Sequence, residues 1–371
     1  KIQIFTESFI GYDLDISEDV FGGQELLLLK MCEVLLCNGH DISVIQFGNN
    51  DKNFTYKGIK IKQVKAPKLN LIQRLGFIRR WTWAGVLFLK HFDEKAEWIH
   101  LHNHHFSFPL VFLKKKNQIM TGMNHGVEWD IPWVYKYLTI KNLKERFSFF
   151  LLKKITNFSV SRLDKIMTND RFFIHFTTLK KPHFSYKFNY IPNFFEKNLL
   201  FTTKNDSLIT EEIKKFSDNK PLVYLPKMSI RERGTDFMIR ACSSQNKWKL
   251  IISGVSHDQK IYENYAKSLN SSKKIFFTGH ISRGDQSNLY NLADIVVVPS
   301  PCREATAIAA LEAMAFGKPL IAAEIGGLVE IIWHEHNGLL CEANEIDFSK
   351  NINLLLNDKD LAQRISENAK R

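Results

Sequence analysis

Short apolar runs, each followed by a stretch of helical periodicity, recur along this chain, and that rhythm leaves few architectures open. Residues 2–6 read as a buried strand. A loop ending in Gly22-Gly23 leads into a helix from about Gln24 to Cys37, and Gly39-His40 stops it before a second strand, Asp41–Phe47. Further strands are expected at 97–101, 118–121, 157–160 and 166–168. From Pro221 the alternation restarts, with strands 222–226, 248–253, 274–278, 294–298 and 319–322 separated by helices 235–246, 258–269, 285–291 and 305–316. Alternating short strands and helices demand parallel sheets covered on both faces. At 371 residues the chain is too long for one ordinary core. The polar stretch 196–220 interrupts the rhythm and divides the chain into domains 1–195 and 196–371. The expected fold class is α/β, with two Rossmann-like, doubly wound parallel-sheet domains facing across a cleft.

Composition narrows the function classes. Apolar residues at 44% and charged residues at 24% are globular values and exclude a disordered chain. No apolar run approaches the roughly 18 residues of a membrane span, and the opening alternation Lys1-Ile2-Gln3-Ile4-Phe5 does not suit a signal peptide. Five cysteines without a Cys-x-x-Cys pair suit a reduced, cytoplasmic protein. The charge is uneven. The first 200 residues hold 29 Lys and Arg against 18 Asp and Glu, a balance of +11, together with 22 of the 29 Phe; the remainder holds 22 against 21. Either an anionic partner or a solvated lysine-rich face accounts for this. Leu69–Phe92 and Lys141–Phe158 mix basic and aromatic residues, and each suits an interfacial helix on anionic lipid or a helix packed on its own sheet.

In doubly wound sheets, ligands bind beyond the carboxyl ends of strands, against helix N-termini. The most informative such loop begins at Pro299-Ser300-Pro301-Cys302-Arg303-Glu304 and runs through an alanine-rich helix to Gly317-Lys318-Pro319. Glu304 stands at the expected helix entrance and Glu312 two turns inside. Eight residues at 1.5 Å separate their backbones by roughly 12 Å, a spacing that suits a nucleotide sugar lying along the helix. Small Ala305 and Ala307 would let backbone N–H groups approach a diphosphate. Gly326-Gly327 would either face that ligand or permit close packing.

This string resembles the Glu-x7-Glu signature of retaining GT-B glycosyltransferases, in particular glycosyltransferase family 4. The pattern continues through Ile321–Glu330 and Asn337-Gly338-Leu339-Leu340. The resemblance implies that Glu304 contacts the donor sugar near the reacting carbon and that Glu312 holds the ribose. The backbone amides of Ala307 and Ile308 would meet sugar or phosphate. Glu304-Ala305-Thr306-Ala307 replaces the commoner Glu-Pro-Phe-Gly, so a Cβ stands where glycine is usual. After strand 222–226, Lys227 and Arg233 match the family's diphosphate-binding basic pair, with residue types exchanged and Arg231 as a competitor. Gly23 matches the Gly-Gly opening that approaches phosphate or acceptor, and His125 the histidine opposite the donor sugar. Glu128 and Asp130, with His102, are weaker acceptor-side candidates. His100, His102, His104 and His105 could chelate a metal from one strand face, but no Cys or carboxylate completes a set nearby. The resemblance implies no metal and no cofactor, the nucleotide sugar being the donor substrate.

The implied activity is retaining transfer of a hexose-type sugar from a nucleotide-diphosphate sugar to an acceptor hydroxyl. The acceptor would be a glycan, glycolipid or small molecule, as in polysaccharide or glycoconjugate synthesis at the inner face of a membrane. A GT-B sugar-nucleotide 2-epimerase would share the architecture, and a lectin-like subunit would need a broken donor pocket. A nucleic-acid-binding protein would explain the charge, but no nucleic-acid motif appears and no such partner is expected.

Overall fold

A computed structural model describes residues 1–10, 23–66, 85–103, 107–125, 150, 154, 157–202, 207–226, 234–254, 259–301 and 305–371. The chain divides into two compact units, Lys1–Pro192 and Asn193–Arg371. Residues 193–195, read from sequence as the end of the first domain, go with the second, because Asn193 hydrogen-bonds Thr306 there.

In the first unit, eight strands are ordered β3-β4-β2-β1-β5-β6-β7-β8. They are β1 (Ile2–Phe5), β2 (Ile42–Gly48), β3 (Lys52–Tyr56), β4 (Ile59–Lys65), β5 (Trp98–Leu101), β6 (Ile119–Asn124), β7 (Lys165–Thr168) and β8 (Phe188–Tyr190). All neighbours are parallel except β3 and β4, an antiparallel hairpin. Its turn is Lys57-Gly58, both at positive φ. This hairpin and β8 were not among the expected strands, although Ile59–Lys65 alternates apolar and polar residues. Residues 157–160, expected as a strand, are helical. A four-residue apolar run does not distinguish the two states, and here the turn ends where the buried Lys187 ammonium donates to the carbonyls of Ser161 at 2.7 Å and Leu163 at 2.6 Å.

Both faces of this sheet are covered, as parallel pairing requires. Helix α1 (Gly23–Cys37) buries Leu28, Leu29 and Cys32 with Ile2, Ile4, Ile42 and Val44. Alternate residues of the same strands, Phe5, Ile45 and Phe47, face a second core in which Phe88 stacks on Phe47 at 4.5 Å between ring centroids. Helix α2 (Arg171–Lys180) follows β7 and is capped by Asp170.

The second unit is a six-stranded, all-parallel sheet ordered β11-β10-β9-β12-β13-β14. Its strands are β9 (Leu222–Leu225), β10 (Lys249–Ile252), β11 (Ile275–Phe277), β12 (Ile295–Val298), β13 (Leu320–Ala323) and β14 (Leu339–Cys341). Its helices are α3 (Leu208–Ser217), α4 (Thr235–Ser243), α5 (Gln259–Ser268), α6 (Arg283–Leu292), α7 (Ile308–Ala315), α8 (Leu328–Ile331), α9 (Glu345–Asn357) and α10 (Lys359–Lys370). One continuous core joins the strands to these helices. Counted within the unit the order is 3-2-1-4-5-6, that of a dinucleotide-binding sheet. Strand order reverses between β9 and β12, so the loops leaving those two strands border the ligand crevice of such sheets.

In the first unit the corresponding reversal lies between β1 and β5, and a row of histidines closes it. His100 and His102 are buried, with ring centroids 5.7 Å apart, and His102 lies 4.7 Å from His125. Burial pushes His100 down to about 3 and holds His102 well below the ordinary histidine range, helped in each case by the neighbouring His125. Both are therefore neutral in the fold and titrate near 6.5 when unfolded. A depressed histidine pKa makes the unfolded state the better proton binder, so stability is complete above about pH 6.5 and declines as pH falls. The pair should remove about 2 kcal/mol between pH 6.5 and 5.5, read by native-state hydrogen exchange of β5 and β6. His100→Gln should roughly halve that slope, and an unchanged slope would show that the row does not carry it.

Candidate functional site

The reversal point of the second sheet is built by close backbone approach. Gly234, at φ +79°, ends the loop after β9, and a Cβ there would lie 2.4 Å from the carbonyl oxygen of Pro299, which begins the loop after β12. The two loops that sequence singled out, one with Lys227 and Arg233 and one with Glu304, therefore spring from touching backbones. Lys227, Arg231, Arg233 and Glu304 themselves lie outside the described residues, as do Glu128 and Asp130.

Helix α7 starts at Ile308, with Ala307 as N-cap, and not at Ala305 as sequence suggested. Ala305 and Thr306 are non-helical, so the 12 Å separation inferred from an unbroken helix between Glu304 and Glu312 does not apply. The local sequence does not fix this start. Alanine has no side chain to accept the first-turn N–H groups, yet Ala307 takes an extended conformation and caps nothing. Gly327 presses on the same segment, where a Cβ would lie 2.4 Å from the Thr306 nitrogen. Of the two readings of Gly326-Gly327, the one at Gly327 is close packing.

Capping separates the helices of this unit into two sets. Helices α3, α6, α9 and α10 receive side-chain caps from Ser207, Ser282, Asn344 and Asp358. Helices α4 and α7, which follow β9 and β12, begin at Gly234 and Ala307 with no side-chain cap, as the four-residue α8 does at Gly327 after β13. Among the described residues, no N-cap side chain accepts from the first-turn N–H groups of α4 and α7, whose positive dipole ends lie at the reversal point. Beside them the Thr306 hydroxyl is buried without a hydrogen-bond partner, a cost of about 1–3 kcal/mol.

Glu312 lies inside α7 and is only 3% exposed. Its Oε1 accepts from Arg283 Nη1 at 3.2 Å, while Oε2 accepts from Gln286 Nε2 at 3.0 Å and from the Tyr290 hydroxyl at 2.8 Å. Burial pushes its carboxyl above the usual range, and the Arg283 charge pulls the other way. Arg283, Gln286, Tyr290 and Thr306 were not picked out from sequence. The first three sit on α6, whose only signal is a polar helix preceding a buried strand.

In the first unit the structure brings three candidates together. His102 Nε2 donates to the carbonyl of Gln24 at 2.9 Å, in the first turn of α1 next to Gly23, and His125 Nε2 donates to the His102 carbonyl at 2.9 Å. Glu25 in the same turn accepts from Ser8 at 2.5 Å. His102 is thus buried as a clamp between β5 and α1. His100 Nδ1 shares a hydrogen bond with Thr121 Oγ1 at 2.9 Å, so one nitrogen of each buried ring has a protein partner, while His100 Nε2 and His102 Nδ1 are buried without one. Among the described residues no group of three His, Cys, Asp or Glu side chains is placed to hold a metal ion.

Residues 205–371 match the family model of the glycosyl transferases group 1. An uncharacterized glycosyltransferase of Methanocaldococcus jannaschii is 32% identical over 158 residues, 42% of this chain and 40% of that protein. The matched region therefore spans about two fifths of the curated relative. Among solved structures, sucrose-phosphate synthase from Thermosynechococcus elongatus superposes with a TM-score of 0.74 at 18% identity, covering 100% of this chain and 92% of the other. The Anabaena protein HepE, solved with UDP and glucose, gives 0.70 at 16% identity, covering 100% and 93%. The fold is therefore GT-B, and its second unit carries the match to the glycosyl transferases group 1.

Proposed function

We propose that this protein is a metal-independent, retaining glycosyltransferase that moves a hexose-type sugar from a nucleotide-diphosphate sugar to an acceptor hydroxyl. The observation that carries the reading is the pair of helix N-termini at the β9/β12 reversal, α4 and α7, that lack side-chain caps. A diphosphate supplies the charge and the acceptors that those N–H groups lack. The match of residues 205–371 to glycosyl transferases group 1 supports the same chemistry, as does the likeness in fold to a protein solved with UDP and glucose.

Roles follow from position. Lys227 and Arg233, on the loop between Pro226 and Gly234, would neutralise the departing diphosphate together with the α7 dipole and the amides of Ala307 and Ile308. Positive charge of this kind substitutes for a divalent ion. Glu304 would orient the sugar at the reacting carbon, and Glu312 would accept from the ribose. Gly23 and His125 would serve the opposite side of the reaction, at the reversal point of the first sheet. The acceptor hydroxyl would attack from the leaving-group face and pass its proton to a phosphate oxygen.

The acceptor is placed, in this reading, at the cytoplasmic face of an anionic membrane, as a glycolipid or glycan under assembly. Phe112 is 63% exposed and stacks on Phe158, over which Arg162 lies. Phe150 is 57% exposed with the Lys154 ammonium 5.5 Å above its ring. Exposed aromatics beside cations suit the headgroup layer. Among the described residues no helix is long and apolar enough to cross a membrane.

Glu304→Ala should lower kcat by roughly two orders of magnitude in a folded protein, and transfer near the wild-type rate would remove its assignment. EDTA should leave transfer unchanged, whereas loss restored by Mn²⁺ would overturn metal independence. Vesicle binding should require anionic lipid, weaken as salt rises, and disappear when Arg79, Arg80, Lys153 and Lys154 are reversed to glutamate. Equal binding to neutral vesicles would exclude the membrane role.

A further inference from the structure

The segment that leads into the second unit touches both ends of the motif around α7. Asn193 Nδ2 donates to the carbonyl of Thr306, one residue before the N-cap. Glu196 accepts from Arg283 Nη2 at 2.9 Å. The same guanidinium reaches Glu312 through Nη1 and steadies itself on Gln286 Oε1 at 2.9 Å. A chain of charge thus runs Glu196–Arg283–Glu312 from the connecting segment into α7, with Glu312 buried and Arg283 and Glu196 partly open to solvent.

We propose that Arg283 and Glu196 are positioning residues for Glu312, Arg283 keeping that carboxylate ionised and oriented and Glu196 setting how much of the Arg283 charge it receives. This rests on the reading of Glu312 as a ribose ligand. A ribose hydroxyl donates to a carboxylate, and a protonated Glu312 would lose that acceptor strength. The Arg283 charge first, and then the hydrogen bonds from Tyr290 and Arg283, offset the desolvation that favours the neutral acid. The groups facing Glu312 are Arg283, Gln286 and Tyr290 on α6, Glu196 on the connecting segment, and Tyr224 on β9. Among the described residues Arg283 is the one cation paired with Glu312. Burial raises the Glu312 carboxyl, the Arg283 charge lowers it, and Glu196 raises it again. A carboxylate has about four acceptor positions. Three donors occupy Glu312, which leaves room for about one incoming hydroxyl and makes its orientation matter.

The two residues therefore act on Glu312 with opposite sign, a signature that simple structural support does not produce. UDP, GDP and dTDP are titrated calorimetrically into the full chain from pH 5 to 8, and the diphosphate that binds is carried through the variants. Titration of its own phosphate is common to all and cancels in the comparison. Glu312→Gln should weaken binding roughly tenfold at neutral pH. Arg283→Met should weaken it similarly and shift the midpoint of the acid-side loss upward by about one pH unit; Arg283→Lys should restore most of that shift. Glu196→Gln should move the midpoint downward. If Glu312→Gln weakens binding but neither Arg283→Met nor Glu196→Gln moves the midpoint, the positioning role is overturned and the ribose reading stands. If Glu312→Gln changes nothing, or no nucleoside diphosphate binds the wild type, both are overturned. Should Arg283→Met not fold, Arg283→Lys and Glu196→Gln carry the test, and equal midpoints in the two overturn the proposal.

Discussion

The close approach of Gly234 to the Pro299 carbonyl is the contact that shapes the reversal point of the second sheet. It joins the loop after β9 to the loop after β12 at the place where strand order reverses. No residue with a Cβ fits there, and the positive φ independently favours glycine. Because β9 and β12 are buried along their whole length, every polar group that the unit can offer a ligand must come from the loops and helices beyond their carboxyl ends. The parallel sheet thus gathers the N-termini of α4 and α7 at the carboxyl ends of its strands while leaving its interior apolar.

Around that edge the protein tolerates arrangements that lower stability elsewhere. Helices α4 and α7 begin without side-chain caps, as does the short α8 after β13; a threonine hydroxyl is buried unpartnered, and a carboxylate is held away from water. Each would be relieved by an ordinary substitution, such as serine at an N-cap. The uncapped N-termini of α4 and α7 at the reversal point, against the side-chain caps on α3, α6, α9 and α10, suit an anionic ligand in physical terms. The burial of Glu312 is balanced by three donors on α6, so this carboxylate belongs as much to the packing of two helices as to any ligand.

Legibility varied with how local the determining interaction is. The strands of both cores could be read because they are apolar runs bounded by turn residues, and α4, α6 and α7 were found within a few residues of their true ends. Two misreadings share one cause. Residues 157–160 are helical because tertiary contacts decided between two states that a four-residue run permits. The start of α7 moved to Ile308 because Gly327 occupies the space beside Thr306, a contact between positions twenty-one residues apart. The β3–β4 hairpin, by contrast, was legible in the alternation of Ile59–Lys65 and in Lys57-Gly58, and passed unread.

Sequence by itself determined that this chain makes two parallel-sheet α/β units, since no other packing buries alternating apolar strands and amphipathic helices, and it carried the motif by which Glu304 and Glu312 were picked out. It could not show what holds Glu312. Arg283, Gln286 and Tyr290 precede it by 22 to 29 positions, and Glu196 lies still further back. None carries a spacing signal, because the distance between them is set by how α6 and α7 pack on the sheet. Only the tertiary structure decided that a residue of the connecting segment, an arginine and a buried glutamate form one line of charge.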